Sequence, residues 1–128
     1  IGLDAALRDL FLKINQSKLL RINLEAKGIE ERLPASVEIA VYRVIQEVLN
    51  NMIKHSNADT IDVRLARHGS AVSLSIADNG IGFEKELIAK SKGLGWKNIL
   101  SRISMLNGQI EVDTQPGAGT NINIQFAI

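Results

Sequence analysis

Nine apolar side chains share one stripe between Val37 and Ile53: Val37, Ala40, Val41, Val44, Ile45, Val48, Leu49, Met52 and Ile53. Their spacing of three and four residues is that of a single helix face. Pro34 stands just before the stripe, and Ser56-Asn57 ends it. A helix this long and this one-sided must bury its stripe against a broad apolar surface. Alternating segments on either side can supply that surface. Residues 20–25 (LRINLE) read as a short strand closed by Lys27-Gly28. Residues 60–65 (TIDVRL) and 71–77 (AVSLSIA) read as two strands joined by a hairpin turn at His68-Gly69-Ser70. Residues 109–114 and 120–126 alternate in the same way around Gln115-Pro116-Gly117-Ala118-Gly119, a second hairpin.

Two further helices complete the pattern. Leu3, Leu7, Leu10, Phe11 and Ile14 place one over residues 3–14. Ile99, Leu100, Ile103 and Leu106 place another over residues 96–107, with Gly108 where a C-cap glycine is expected. The order is helix, strand, helix, strand, strand, helix, strand, strand. It predicts an α/β fold: a two-layer sandwich of a mixed, largely antiparallel sheet covered on one face by helices.

Composition narrows the function. A chain of 128 residues suits one domain with its own core. Basic residues number 15 and acidic ones 14, evenly spread, so no basic face suggests a nucleic-acid partner. The longest apolar run is four residues, Ile39 to Tyr42, far short of a membrane span. There is no cysteine, which excludes disulfides, iron–sulfur clusters and thiolate zinc sites and fits a reducing compartment. Two histidines are too few for a histidine-built metal site. The chain opens at Ile1 without a secretory signal or an initiating Met, and is read as a piece of something longer.

Four polar clusters could carry chemistry. On the long helix Glu47, Asn51 and Lys54 fall at i, i+4 and i+7, flanked by Asn50 and His55. They read either as a solvated face or as a magnesium–phosphate arrangement, since an amide oxygen can ligate Mg²⁺ and a carboxylate one turn earlier can orient a nucleophile. Asp78-Asn79-Gly80-Ile81-Gly82-Phe83 ends a strand in ordinary turn chemistry. Gly93-Leu94-Gly95 opens a helix, either as a hinge or as an anion site built from bare N–H groups. Gly117-Ala118-Gly119-Thr120 is a turn candidate. Neither a G-x-x-x-x-G-K-[ST] loop nor a complete dinucleotide fingerprint is present.

Together and in this order, the clusters resemble the ATP-binding domain of sensor histidine kinases, in the superfamily that includes gyrase-type and MutL-type ATPases (the Bergerat-type fold). The resemblance covers about residues 20–128. VIQEVLNNMIKHSNA is similar to the family's asparagine box, DNGIGF to the first glycine box, GLGWKNI to the second and GAGT to the third. The form E-x-x-x-N-x-x-K-H with a short lid resembles the nitrate-sensor and lipid-fluidity-sensor subfamily. Trp96 stands where that subfamily more often has an aliphatic residue.

The resemblance implies ATP and Mg²⁺ as cofactors, with Asp78 accepting a hydrogen bond from the adenine amino group. Gly80 and Gly82 would let backbone approach the nucleotide, Asn51 would hold Mg²⁺, and Lys54 and His55 would lie near phosphates or ribose. Gly93, Leu94 and Gly95 would cap the phosphates, Thr120 would support the adenine pocket, and Glu47 would act catalytically on the acceptor. The charged, sparsely apolar segment 84–92 would be a lid, mobile without nucleotide. Residues 1–18 are read as a helix left from the connection to a dimerisation domain, and 19–128 as the catalytic domain.

The acceptor histidine would lie on that dimerisation domain outside this chain, because His55 belongs to the nucleotide box and His68 to a turn. Further expectations are a response regulator as downstream partner, a monomeric fragment of a homodimeric protein, and a cytoplasmic location. An anti-sigma-factor serine kinase and a non-catalytic ATP-binding module of the same fold are the alternatives.

Overall fold

The computed structural model describes residues 2–16, 20–82 and 96–128. Its elements are α1 (Leu3–Asn15), β1 (Arg21–Lys27), α2 (Ala35–His55), β2 (Thr60–His68), β3 (Ala71–Asp78), α3 (Trp96–Met105), β4 (Gln109–Thr114) and β5 (Thr120–Ala127). The strands form one sheet in the order β1-β2-β3-β5-β4. β1 and β2 are parallel, as a crossover through a helix requires, and the other three pairings are antiparallel. The expected two-layer mixed sandwich is the fold observed.

Strand register sorts the side chains into two faces. Leu24, Val63, Ile76, Ile122 and Val112 lie side by side across all five strands. Ala26, Leu65, Leu74, Ile124 and Ile110 form the next row. These inner rows meet α1 through Leu3, Leu7 and Phe11, α2 through its stripe from Val41 to Met52, and α3 through Ile99 and Ile103, in one core. The opposite face carries polar and small residues, such as Asn23, Asp62, Ala77, Asn121 and Asp113 in one row. Among the described residues the helices therefore cover one face only. Trp96 is partly buried against the same core.

Two local readings shift, and the strand order adds a third feature. β2 runs on to His68, which pairs with Ala71, so the turn is the two residues Gly69-Ser70, with Gly69 at φ 61°. The last strand slots between β3 and β4, leaving β4 at an edge. At the end of α3, Asn107 and not Gly108 takes the left-handed conformation, at φ 54°. The Gly108 N–H then donates to the Ile103 carbonyl at 2.9 Å. An asparagine tolerates that backbone region because its short polar side chain can bond locally.

An ion pair between an exposed Arg32 and the buried Glu38 holds the start of α2. The Glu38 carboxylate, in the first turn of α2, accepts from Arg32 (2.7 Å to Oε1) and from the Leu33 N–H (3.3 Å). The Leu3 N–H at the start of α1 also favours its charged form. Arg32 chiefly holds this carboxyl below the ordinary carboxylate range.

Among the described residues, no helix is long and apolar enough to cross a membrane. Ile45, fully buried at the middle of α2, anchors the two layers. Ile45→Ala is expected to cost about 2–5 kcal/mol, read as a lower urea midpoint at unchanged slope. A loss below about 1 kcal/mol would show that α2 contributes little to the core.

Candidate functional site

The inner row at one end of the sheet breaks the aliphatic pattern: Ile22, Ile61, Asp78, Thr120 and Thr114. Period-two alternation places Asp78 where a core side chain would otherwise stand. Asp78 is only 9% exposed. Its Oδ1 accepts from the Gly80 N–H at 2.8 Å, whereas Oδ2 is buried without a hydrogen-bond partner. Thr120 is its register partner, and the Thr120 and Thr114 hydroxyls bond each other at 2.9 Å. Burial pushes the Asp78 carboxyl above the ordinary carboxylate range, against the opposing pull of the Gly80 and Thr120 N–H groups. A buried, half-satisfied acceptor suits a ligand that brings an N–H donor.

The loops around Asp78 touch backbone to backbone. The Ile81 N–H donates to the carbonyl of Ser56, the C-cap of α2, at 2.7 Å. A Cβ on Gly80 would run into that Ser56 carbonyl. Gly82 sits at φ 64°, and a Cβ there would strike the Gln115 carbonyl in the β4–β5 hairpin. These two glycines are thus required by contacts inside the protein, in addition to any approach by a ligand. The end of α2, the loop after β3 and the β4–β5 hairpin form one cluster.

The expected residues divide into three groups. Asp78, Gly80, Gly82 and Thr120 share this cluster. Asn51, Lys54 and His55 lie on the last two turns of α2, which the Ser56–Ile81 bond brings against it. Glu47 is half-buried one turn before Asn51. Gly93, Leu94 and Gly95, and the expected lid at 84–92, lie outside the described residues. His68 ends β2 at the far end of the sheet, seven residues from the Asp78 partner Ile61, or about 23 Å at strand rise. That distance separates it from the site.

No group of three His, Asp or Glu side chains that could hold a metal occurs among the described residues. A magnesium ion carried mainly by phosphate oxygens and water would need few protein ligands, and the Asn51 amide could be one. Sequence reasoning missed Ser56 and Asn79, which hold the loops. The signal available was a serine at a helix end and an asparagine in a strand-end turn.

The raised Asp78 carboxyl gives a pH test. A carboxyl with an elevated folded pKa binds its proton more tightly when folded, so its favourable contribution is present below the unfolded value and lost as pH rises through the folded one. The parent should therefore lose melting temperature relative to Asp78→Asn from about pH 4 towards neutrality. A difference that stays constant with pH would contradict the buried carboxylate.

The sequence profile of the histidine kinase-, DNA gyrase B- and HSP90-like ATPases matches residues 36–128. The oxygen sensor histidine kinase NreB of Staphylococcus carnosus is 30% identical over 128 residues, all of this chain and 37% of that protein. The signal transduction histidine-protein kinase/phosphatase DegS of Brevibacillus brevis is 31% identical over 128 residues, 33% of its length. The chain thus spans about a third of the length of these relatives. The blue-light activated histidine kinase of Erythrobacter litoralis EL346 superposes with a TM-score of 0.81 at 20% identity, over 99% of this chain and 42% of that one. The catalytic domain of histidine kinase ThkA gives 0.77 at 17% identity, over 99% and 92%. These two structures establish a common fold, and the profile covers most of the chain, including every described residue of the Asp78 cluster. The chain belongs to the histidine kinase-, DNA gyrase B- and HSP90-like ATPase family.

Proposed function

We propose that this chain is the ATP-binding catalytic domain of a two-component sensor histidine kinase, which passes the γ-phosphoryl group of ATP to a histidine on a separate dimerisation domain. The observation that carries the reading is the unpartnered Asp78 Oδ2, buried at the end of the inner sheet face beside the last turns of α2. An adenine 6-amino group supplies the donor this oxygen needs, while guanine would set a carbonyl oxygen against it. Both named curated relatives are histidine kinases, so an anti-sigma-factor serine kinase is not favoured.

In this reading Thr120 supports the base beside Asp78, and Gly80 and Gly82 bring backbone close to it. The Asn51 amide holds Mg²⁺, which neutralises charge on the phosphate oxygens when bound. Lys54 and His55 would lie near phosphates or ribose, and Gly93, Leu94 and Gly95 would cap the phosphates. Glu47 acts at the acceptor imidazole, accepting its N–H hydrogen bond and orienting the ring. The helix within residues 1–18 leads to the acceptor domain, with 19–128 as the catalytic unit. The whole protein would be a homodimer acting in the cytoplasm on a response regulator.

Calorimetric titration tests the base contact. Asp78→Asn should weaken ATP and ADP alike by roughly 10–150-fold, the loss of one charged hydrogen bond. Unchanged affinity would remove Asp78 from the site.

A second measurement separates binding from chemistry. Glu47→Gln should keep ATP affinity within several-fold of the parent. Labelling of an added acceptor hairpin should fall by about 10²–10⁴. Labelling at the parent rate would reduce Glu47 to a solvated helix residue.

A further inference from the structure

The side chain next to Asp78 is exposed, yet it makes three hydrogen bonds to another loop. Asn79 Oδ1 accepts from the backbone N–H groups of Asp59 and Thr60, each at 3.1 Å. Its Nδ2 donates to Asp59 Oδ1 at 2.6 Å, and its own N–H donates to the Thr60 carbonyl at 3.3 Å. Asp59 Oδ1 also accepts from the Thr60 hydroxyl at 3.1 Å. These donors, Asn79 first, hold the Asp59 carboxyl below the ordinary carboxylate range, so it is the ionised partner.

The loop so gripped is the short connection from the end of α2 to β2. It is held at both ends. Ile81 binds its first residue, Ser56, and Asn79 binds its last, Asp59. The Asp59 carbonyl in turn accepts from the Arg21 N–H at 2.9 Å, which anchors the loop to β1. Asp78 ends β3 immediately before Asn79, while Asn51, Lys54 and His55 lie on the last turns of α2 leading into the loop. The Asn79–Asp59 contact therefore links one set to the other.

We propose that Asn79 is a positioning residue for nucleotide binding: its amide sets the distance between the base-binding Asp78 and the phosphate- and metal-facing end of α2. The inference rests on the ATP-binding reading of that site. Only an amide meets the requirement, because one planar group must present an acceptor to two N–H groups and a donor to a carboxylate. Aspartate has the acceptor but lacks the donor, and would face Asp59 with like charge. A plain strand-end cap would stabilise the fold without changing how the folded protein binds, and that is the distinction to be measured.

The experiment compares the parent, Asn79→Asp, Asp59→Asn and the double variant, each at a temperature where circular dichroism shows it folded. Mg-ATP is titrated by calorimetry and adenosine by NMR. Asn79→Asp should lose roughly tenfold or more in Mg-ATP affinity, the size of coupling expected between groups in one network, and much less for adenosine. Asp59→Asn, which keeps an acceptor for Asn79, should stay near the parent. The double variant exchanges donor and acceptor and should recover Mg-ATP affinity. If Asn79→Asp does not fold, Asn79→Ser takes its place, and the double variant must still recover.

Parent-like Mg-ATP affinity in the folded single variant overturns the inference. So does a double variant that fails to recover, or an equal loss for adenosine and Mg-ATP. Failure of the parent to bind ATP at all would overturn the nucleotide reading, and this inference with it.

Discussion

Among the described residues, everything hangs on the register of five strands against the three helices that cover them. Each inner row crosses the whole sheet, so the α2 stripe meets a continuous aliphatic floor made by Val63, Leu65, Leu74, Ile76, Ile122 and Ile124. A slip of one residue in any strand would turn that strand's core side chains to water. The same alternation that builds the floor carries Asp78 into the buried layer at its end. The acidic group is therefore desolvated by the geometry of the core itself, and its raised pKa is a direct result.

A buried carboxylate with a free oxygen is unfavourable for folding, and it is tolerated where a ligand completes it. The surrounding loops keep the group from relaxing. Ser56 meets Ile81 and Gly80 on one side, and Gln115 meets Gly82 on the other, so three loops distant in sequence are locked around the end of β3. Preorganisation of this kind lowers the ordering that a bound nucleotide would otherwise impose.

The edges of the layer are managed by single side chains. Asn15, the last residue of α1, accepts from the Ile22 N–H at 2.7 Å and donates to the Ile22 carbonyl at 3.1 Å. Its amide thus stands in for a neighbouring strand on the outer edge of β1. At the opposite end of α1, the α2 residue Glu38 binds Arg32 and the Leu33 N–H and feels the Leu3 N–H, so α1 is held to β1 at one end and lies against α2 at the other. Acid conditions that protonate Glu38 would weaken the second contact as pH falls through its lowered pKa.

The sequence by itself determined the elements, because periods of 3.6 and 2 residues are local properties of backbone geometry. The α2 stripe, the alternating strands and the polar clusters around Asn51 and Asp78 were all legible there, and the ordered boxes pointed to the family. What lies between elements was not. Nothing local tells β5 to insert between β3 and β4, since its alternation is satisfied by any apolar neighbour. Asn107 and Gly108 both suit a helix end; in the fold the asparagine takes the left-handed turn, and the glycine sits where a Cβ would crowd the Gln125 carbonyl and Ile103. The glycines at 80 and 82 could be read as ligand-facing, yet their closest neighbours are the carbonyls of Ser56 and Gln115. Asn79 looked like a turn residue until the fold set Asp59, twenty positions earlier, within hydrogen-bond reach. Hydrogen bonds and close backbone approaches depend on distances of a few tenths of an ångström across the chain, and those distances exist only once the two layers have packed.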